Sequence, residues 1–176
     1  MNRYEELPEE AWYLVQCKPR QEARALEHLD RQGFECFYPS VGIETTLKAG
    51  KTRHQEQPLF PGYLFIHLGL HDNWSTLRST RGVNRIVGFC NRPCRVNDSI
   101  IEHLRQRCAL GGSAGIARDD EKGIQTKAGP LAEMDAIFLS MDGEKRVMLL
   151  LNMLDREQQA QVRLASLRVN GVKSAA

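Results

Sequence analysis

The sequence predicts an α+β protein made of a larger N-terminal α/β unit and a small C-terminal unit. Three observations predict it. Short aromatic and β-branched runs are interleaved with amphipathic helical patterns through the N-terminal part. "GGSAGIARDDEKG" (111–123) then interrupts every apolar period with Gly, small and charged residues, as a flexible linker does. Beyond it lie about fifty residues, too few to be comfortably stable alone. The expected bounds are 10–110 for the first domain, 111–123 for the linker and 124–170 for the second domain.

"AWYLVQCK" (11–18) is aromatic and β-branched, which predicts a strand. Pro19 fits the first turn of a helix, and "RQEARALEHLDRQG" (20–33) places Ala25, Leu26 and Leu29 on one face, with Gly33 as the stop. "FECFYP" (34–39) is a second strand, which completes a β-α-β unit. "IETTLKAGKTRHQEQ" (43–57) has two polar arms about "KAGK" and predicts an exposed hairpin. "PLFPGYLFIHL" (58–68) is the most apolar part of the first half and predicts a central strand. "NWSTLRST" suggests a short helix, and "RGVNRIVGF" a further strand. Asp98 can cap a helix through "SIIEHLRQRCAL", with Ile100, Ile101, Leu104 and Cys108 on one side.

Among 176 residues, an apolar content of 41% suffices for a packed core, and a net charge of +2 excludes a polycation. No apolar run approaches the roughly 18 residues of a membrane span. The polar, acidic start "MNRYEELPEEAW" is neither a signal nor a transit peptide, so a cytoplasmic protein is expected. The cysteines (17, 36, 90, 94 and 108) are odd in number and irregular in spacing, which fits a reducing compartment. Charge is uneven along the chain. Between Asp72 and Asp98 there is no acid, yet Arg78, Arg81, Arg85, Arg92 and Arg95 fall there. Lys18, Arg20 and Arg24 form a second basic group. Such stretches are either a phosphate footprint or a solvated basic surface.

No catalytic set emerges. Cys90 and Cys94 stand four apart without a second Cys or His pair at finger spacing, and zinc needs about four ligands. The histidines (28, 54, 67, 71 and 103) are scattered. Neither a dinucleotide-binding glycine motif, a Walker loop nor a nucleophile elbow is present. An enzyme, a metal centre or a cofactor is therefore not expected.

Four stretches, "WYLVQCK", "PLFPGYLFI", "TRGV" and "DGEKRVMLLLN", together resemble the NusG family of transcription elongation factors. The last favours its specialised RfaH branch, plasmid-borne relatives included. The resemblance spans about residues 11–170. It implies an N-terminal α/β domain, an antiparallel sheet flanked by helices, that docks on the clamp helices of the largest RNA polymerase subunit. It also implies a small C-terminal KOW-related domain.

Site residues follow from the resemblance. Tyr63 and Phe65, with Leu59 and Phe60, match the apolar patch that receives the clamp helices. Ser75 and Thr76 end the stretch Asn73-Trp74-Ser75-Thr76, which stands at the place of a His-Thr-Thr-Thr motif that meets the opposite polymerase pincer. Lys18, Arg20, Gln21, Arg24, His28, Thr80 and Arg81 match the face that touches the nontemplate DNA strand at a specific pause signal. On a helix Gln21, Arg24 and His28 share one side. Lys and Arg would neutralise phosphates, and Gln21 and His28 could bond base edges.

"VMLLLNMLDREQQAQVRLASL" (147–167) reads two ways. Val147, Leu150, Leu151 and Leu154 fit a helix face, while Met148 to Leu151 is also a short buried-strand run. Asp142-Gly143 could turn a hairpin, or Gly143 could end a helix. In the RfaH branch the C-terminal domain occurs as an α-helical hairpin over the docking patch or as a five-stranded β-barrel. The helical hairpin is expected in the free protein, with Phe138, Arg146, Val147, Leu150, Leu151 and Leu154 at the interdomain contact. Gln57 stands where an acidic partner of Arg146 is expected, so Glu56 or another acid would have to replace it.

The resulting expectation is a monomeric, operon-specific elongation and antitermination factor that reduces pausing and termination. A small-subunit ribosomal protein is a further partner through the C-terminal domain, which would couple transcription to translation. The alternatives are a constitutively open general elongation factor and a stand-alone RNA-binding module.

Overall fold

The computed structural model describes residues 10–48, 50–109, 134, 136–137 and 142–171. The expected linker, and Phe138, lie outside the described residues. The elements in chain order are β1 (Glu10–Cys17), α1 (Glu22–Arg31), β2 (Glu35–Phe37), β3 (Ser40–Thr46) and β4 (Thr52–Pro58). Next come β5 (Tyr63–Gly69), α2 (Trp74–Ser79), β6 (Val83–Ile86), β7 (Gly88–Phe89), β8 (Arg92–Pro93) and β9 (Arg95–Val96). The helices α3 (Asp98–Ala109) and α4 (Gly143–Gly171) complete the set.

The main sheet runs β2-β5-β1-β6, with β9 also on β1, and every pairing is antiparallel. The predicted β-α-β unit is therefore split: β5 lies between β1 and β2. β1 is apolar at almost every position because both of its faces are covered. Ala11, Tyr13, Val15 and Cys17 pack with Ala25, Leu29, Trp74 and Leu77 of α1 and α2. Trp12 and Leu14 turn the other way, into a cluster with Val96, Ile100 and Leu104 and with Leu150, Met153 and Leu154 of α4. A strand buried on both faces loses the polar alternation of a half-buried one.

Several boundaries move for local reasons. The strand predicted from residue 58 starts at Tyr63, because "FPGY" is a type II turn. The Tyr63 N–H donates to the Phe60 carbonyl at 3.1 Å, Pro61 takes the second place, and Gly62 has φ +82°. The helix predicted from Pro19 starts at Glu22. Pro19 instead occupies a turn closed by Gln21 N–H to the Lys18 carbonyl at 3.0 Å, with Arg20 at φ +60°. The cap of α3 is Asn97 rather than Asp98: its Oδ1 accepts from the Ser99 N–H at 3.1 Å. The run "RGVNRIVGF" divides into β6 and β7, and an unforeseen β7–β8 hairpin follows. Cys90 and Asn91, at φ +49° and +66°, make its type I′ turn.

The β3–β4 hairpin forms as expected and is mostly exposed. The ambiguous C-terminal stretch is helical from Gly143 onward. Asp142-Gly143 neither turns a hairpin nor ends a helix. Asp142 caps α4 by accepting from the Glu144 N–H at 3.0 Å, and Gly143 is the first helical residue. Met134 and Ile137 are helical and buried in the α4 cluster. Among the described residues, no helix is long and apolar enough to cross a membrane.

Candidate functional site

The expected docking residues lie on the sheet face that carries α3 and α4. Register pairs Leu14 with Phe65 and Gln16 with Tyr63, so Tyr63 and Phe65 share that face, whereas Leu64 and Ile66 point to the α1 side. Phe65 stacks on Phe37 and meets Phe60 edge to face, both at 6.1 Å between ring centroids. Leu59, Phe60 and Phe65 are buried, and Tyr63 is half-buried.

What covers them is α4, fastened at its start to the Leu59–Pro61 turn. A Cβ on Gly143 would lie 2.7 Å from Pro61 Cγ, so only glycine lets the helix come this close. One turn later Arg146 is buried, and its Nε donates to the Leu59 carbonyl at 2.8 Å. Burial pushes the guanidinium pKa down, and the Asp142 carboxylate pushes it back up. The acid acting on Arg146 thus comes from its own segment, not from the β4 position of Glu56 and Gln57, both of which are exposed. Leu150, Met153 and Leu154 then descend onto the aromatic cluster, and Val147, Leu149 and Leu151 flank it. Three fully buried aliphatic side chains contribute about 1.5–3 kcal/mol each. Met153 was missed from the sequence, although it lies three residues beyond Leu150 and fits the same helical face. Met148, on the far side, is 61% exposed.

The basic residues gather on the opposite side of the sheet, around Gly82. Its φ is +87°, and a Cβ there would lie 2.7 Å from the Ala25 nitrogen and 2.8 Å from the Gln21 carbonyl oxygen. Its own carbonyl accepts from the Lys18 N–H at 2.8 Å. One glycine therefore joins the end of β1, the first turn of α1 and the "TRGV" stretch, and it brings Lys18, Gln21 and Arg81 together. Lys18, Arg20, Arg24 and Arg81 are exposed; Gln21 and His28 are half-buried.

Thr80 departs from the surface contact expected of it. It is 7% exposed, and its Oγ1 donates to the Thr76 carbonyl at 2.9 Å and accepts from Gln32 Nε2 at 3.0 Å. It ties α2 to the end of α1. Gln32 had no signal in the sequence beyond its place after the helix. Ser75 and Thr76 serve α2 itself: Ser75 Oγ donates to Asn73 Oδ1 at 2.6 Å, and Thr76 Oγ1 to the Asn73 carbonyl at 2.7 Å. Their hydroxyl protons are committed to the helix start.

The thiols have no reactive setting. Cys94 is buried beneath α4, and burial pushes its pKa up to about 12. Cys90 is exposed at the hairpin tip. Among the described residues, no three His, Cys, Asp or Glu side chains come together as a metal site.

Known proteins share this arrangement of sequence. NusG of Vibrio vulnificus, named a transcription termination/antitermination protein, is 27% identical over a 156-residue alignment covering 80% of this chain and 84% of that one. The protein of that name from Escherichia coli K12 is 25% identical with the same coverage. A solved structure, "Domain interaction in Thermotoga maritima NusG", matches at TM-score 0.44 and 19% identity, covering 69% of this chain and 70% of that one. The family model described as "NusG: Transcription termination factor nusG" matches residues 10–105, which hold both the apolar patch and the Gly82-centred basic face. With more than half of its length inside that match, the chain belongs to the NusG family.

Proposed function

We propose that this protein is a specialised, operon-selective transcription termination/antitermination factor that binds RNA polymerase through the Leu59–Phe65 patch and is held closed by α4. The observation that carries this reading is the burial of Leu59, Phe60 and Phe65 in one cluster with Leu150, Met153 and Leu154. A patch that must receive the polymerase clamp helices cannot do so while α4 occupies it. The α1 face, on the other side of the sheet, remains open for nontemplate DNA, so a DNA signal can be read before the patch is uncovered. Once released, the C-terminal segment is free for a second partner, and a small-subunit ribosomal protein is the one this reading favours.

The test is binding to core RNA polymerase by biolayer interferometry, comparing the full chain with a Leu150→Glu/Leu154→Glu variant. Two buried carboxylates cannot stay against phenylalanines, so the variant is expected to open. A closed state favoured by about 1.4 kcal/mol reduces apparent affinity about tenfold, and the variant should regain at least that factor. Equal affinities would make the factor constitutively open, and binding by neither would remove polymerase from the reading.

A further inference from the structure

We propose that the groove between α2, β6 and the β7–β8 hairpin is a second nucleic-acid contact, which takes the phosphodiester backbone of the DNA strand that crosses the α1 face. This rests on the reading of the α1 face as a DNA surface. The groove has a volume of about 150 Å³, and Arg78, Arg85 and Arg92 line it together with Trp74, Ile86 and Pro93. No acid lines it. The arginines come from the last turn of α2, from β6 and from β8, so the fold, and not one run of sequence, brings them together. Guanidiniums gathered at a small concavity focus positive potential into it, which favours a bound anion. The guanidinium fork matches the paired oxygens of a phosphate.

The groove is built rather than incidental. Arg85 Nε donates to Gln16 Oε1 at 2.8 Å, and Asn84 Nδ2 reaches the same oxygen at 3.3 Å. This bond fixes the guanidinium at the wall of the groove. A Cβ on Gly88 would lie 2.4 Å from the Arg92 carbonyl oxygen, so glycine is what lets the strand beneath Arg92 close up, and the Cys90-Asn91 turn fixes its tip. The floor favours backbone over bases. The Trp74 indole is only 7% exposed, turned edge-on to Tyr13 and donating through Nε1 to the Gly69 carbonyl at 3.0 Å, so it offers no face for stacking. Continuity supplies the occupant. α2, which carries Arg78, packs on the α1 side of the sheet, and Thr80, next to Arg81, ties it to the end of α1. One strand can pass from Lys18 and Arg81 into the groove.

The experiment is a salt titration of the full chain with a mixed-sequence single-stranded DNA oligonucleotide, followed by fluorescence anisotropy. The Arg78→Gln/Arg85→Gln/Arg92→Gln variant is compared with Lys18→Gln/Arg24→Gln on the α1 face and with the wild type. Each lost phosphate contact lowers the slope of log affinity against log salt by about 0.7 for a single strand, so the triple variant should lose about two. The matching triple lysine variant keeps the charge and should restore the slope, which separates lost contact from a damaged fold. A triple glutamine variant with wild-type slope, beside a reduced slope for Lys18→Gln/Arg24→Gln, overturns the groove and leaves the α1 face standing. Unchanged slopes in both overturn both. A triple variant that binds DNA normally but binds polymerase more weakly overturns the proposal and assigns the groove to an acidic protein surface.

Discussion

On the α3 side of the sheet, Leu59, Phe60 and Phe65 lie beneath α4; on the α1 side, Lys18, Arg24 and Arg81 stand in solvent. Water solvates guanidinium and ammonium groups, so the second face needs no cover. The first face is aromatic, and every Å² of apolar surface left in water costs about 25 cal/mol. An aromatic patch of this kind therefore attracts any apolar helix within reach. The C-terminal segment supplies one, with Leu150, Met153 and Leu154 buried against it. The difference teaches that, on the function proposed above, the two faces are regulated differently: only the apolar one can be switched by covering it.

The largest effects should come from breaking each face at its structural centre. Phe65→Ala empties the stack between Phe37 and Phe60 and should cost about 3–5 kcal/mol, seen as a lower denaturation midpoint. A fully buried ring is therefore no clean probe of docking. Gly82→Ala is the counterpart on the basic side. Its new methyl meets the Ala25 backbone at φ +87°, and overpacking of this kind typically costs about 1–3 kcal/mol before backbone strain is added. A wild-type midpoint for Gly82→Ala would mean that the "TRGV" turn does not organise the face.

Next is the cover. Residues 120–176 alone should lose most of the helix seen from Gly143 onward, because the burial of Leu150, Met153 and Leu154 goes with the sheet. Strand pairing about Asp142-Gly143 can then compete, and circular dichroism of the fragment against NMR shifts of the same residues in the intact chain reads the outcome. Persistent helix in the fragment would remove the switch. A smaller effect belongs to Tyr63, which is half-buried. Tyr63→Ala should weaken polymerase binding by about 2 kcal/mol, the scale of an aromatic anchor, while the melting temperature stays near wild type. Wild-type affinity would move docking elsewhere.

The finest contrast uses the thiols. Cys17 lies in the α1-side core and Cys94 under α4, and burial raises both to about 12. In the intact protein Cys90 should be alkylated first. Opening with Leu150→Glu/Leu154→Glu should expose Cys94 and leave Cys17 protected; mass spectrometry of the labelled peptides decides. The same shifts fix a pH dependence. The unfolded thiols ionise near 9.0 and the folded ones near 12, so stability is complete below 9.0 and falls as pH rises from there through 12. A melting temperature independent of pH across that interval would contradict their burial.

The covered and open faces were not equally legible. The α1 face was readable because its parts are local: Ala25 and Leu29 mark the buried side of one helix, which leaves Arg24 outward. The apolar strand was readable too, and so was its aromatic pair at Tyr63 and Phe65. Thr80 was not, because an exposed and a buried threonine look alike in sequence, and only the approach of Gln32 settles which this one is.

By itself, the sequence determined what depends on near neighbours: the apolar side of α3 at Ile100, Ile101 and Leu104, and the exposed β3–β4 hairpin. It left residues 147–167 suspended between helix and strand, since both patterns fit and propensities differ by less than about 1 kcal/mol per residue. Tertiary structure decided that choice. Burial against Phe60 and Phe65 outweighs local preference, Pro61 requires glycine at 143, and Arg146 donates to the Leu59 carbonyl. It also decided that Arg78, Arg85 and Arg92 line one groove. Contacts between residues far apart in the chain leave no period to read, because what fixes them is the shape of the surface they meet.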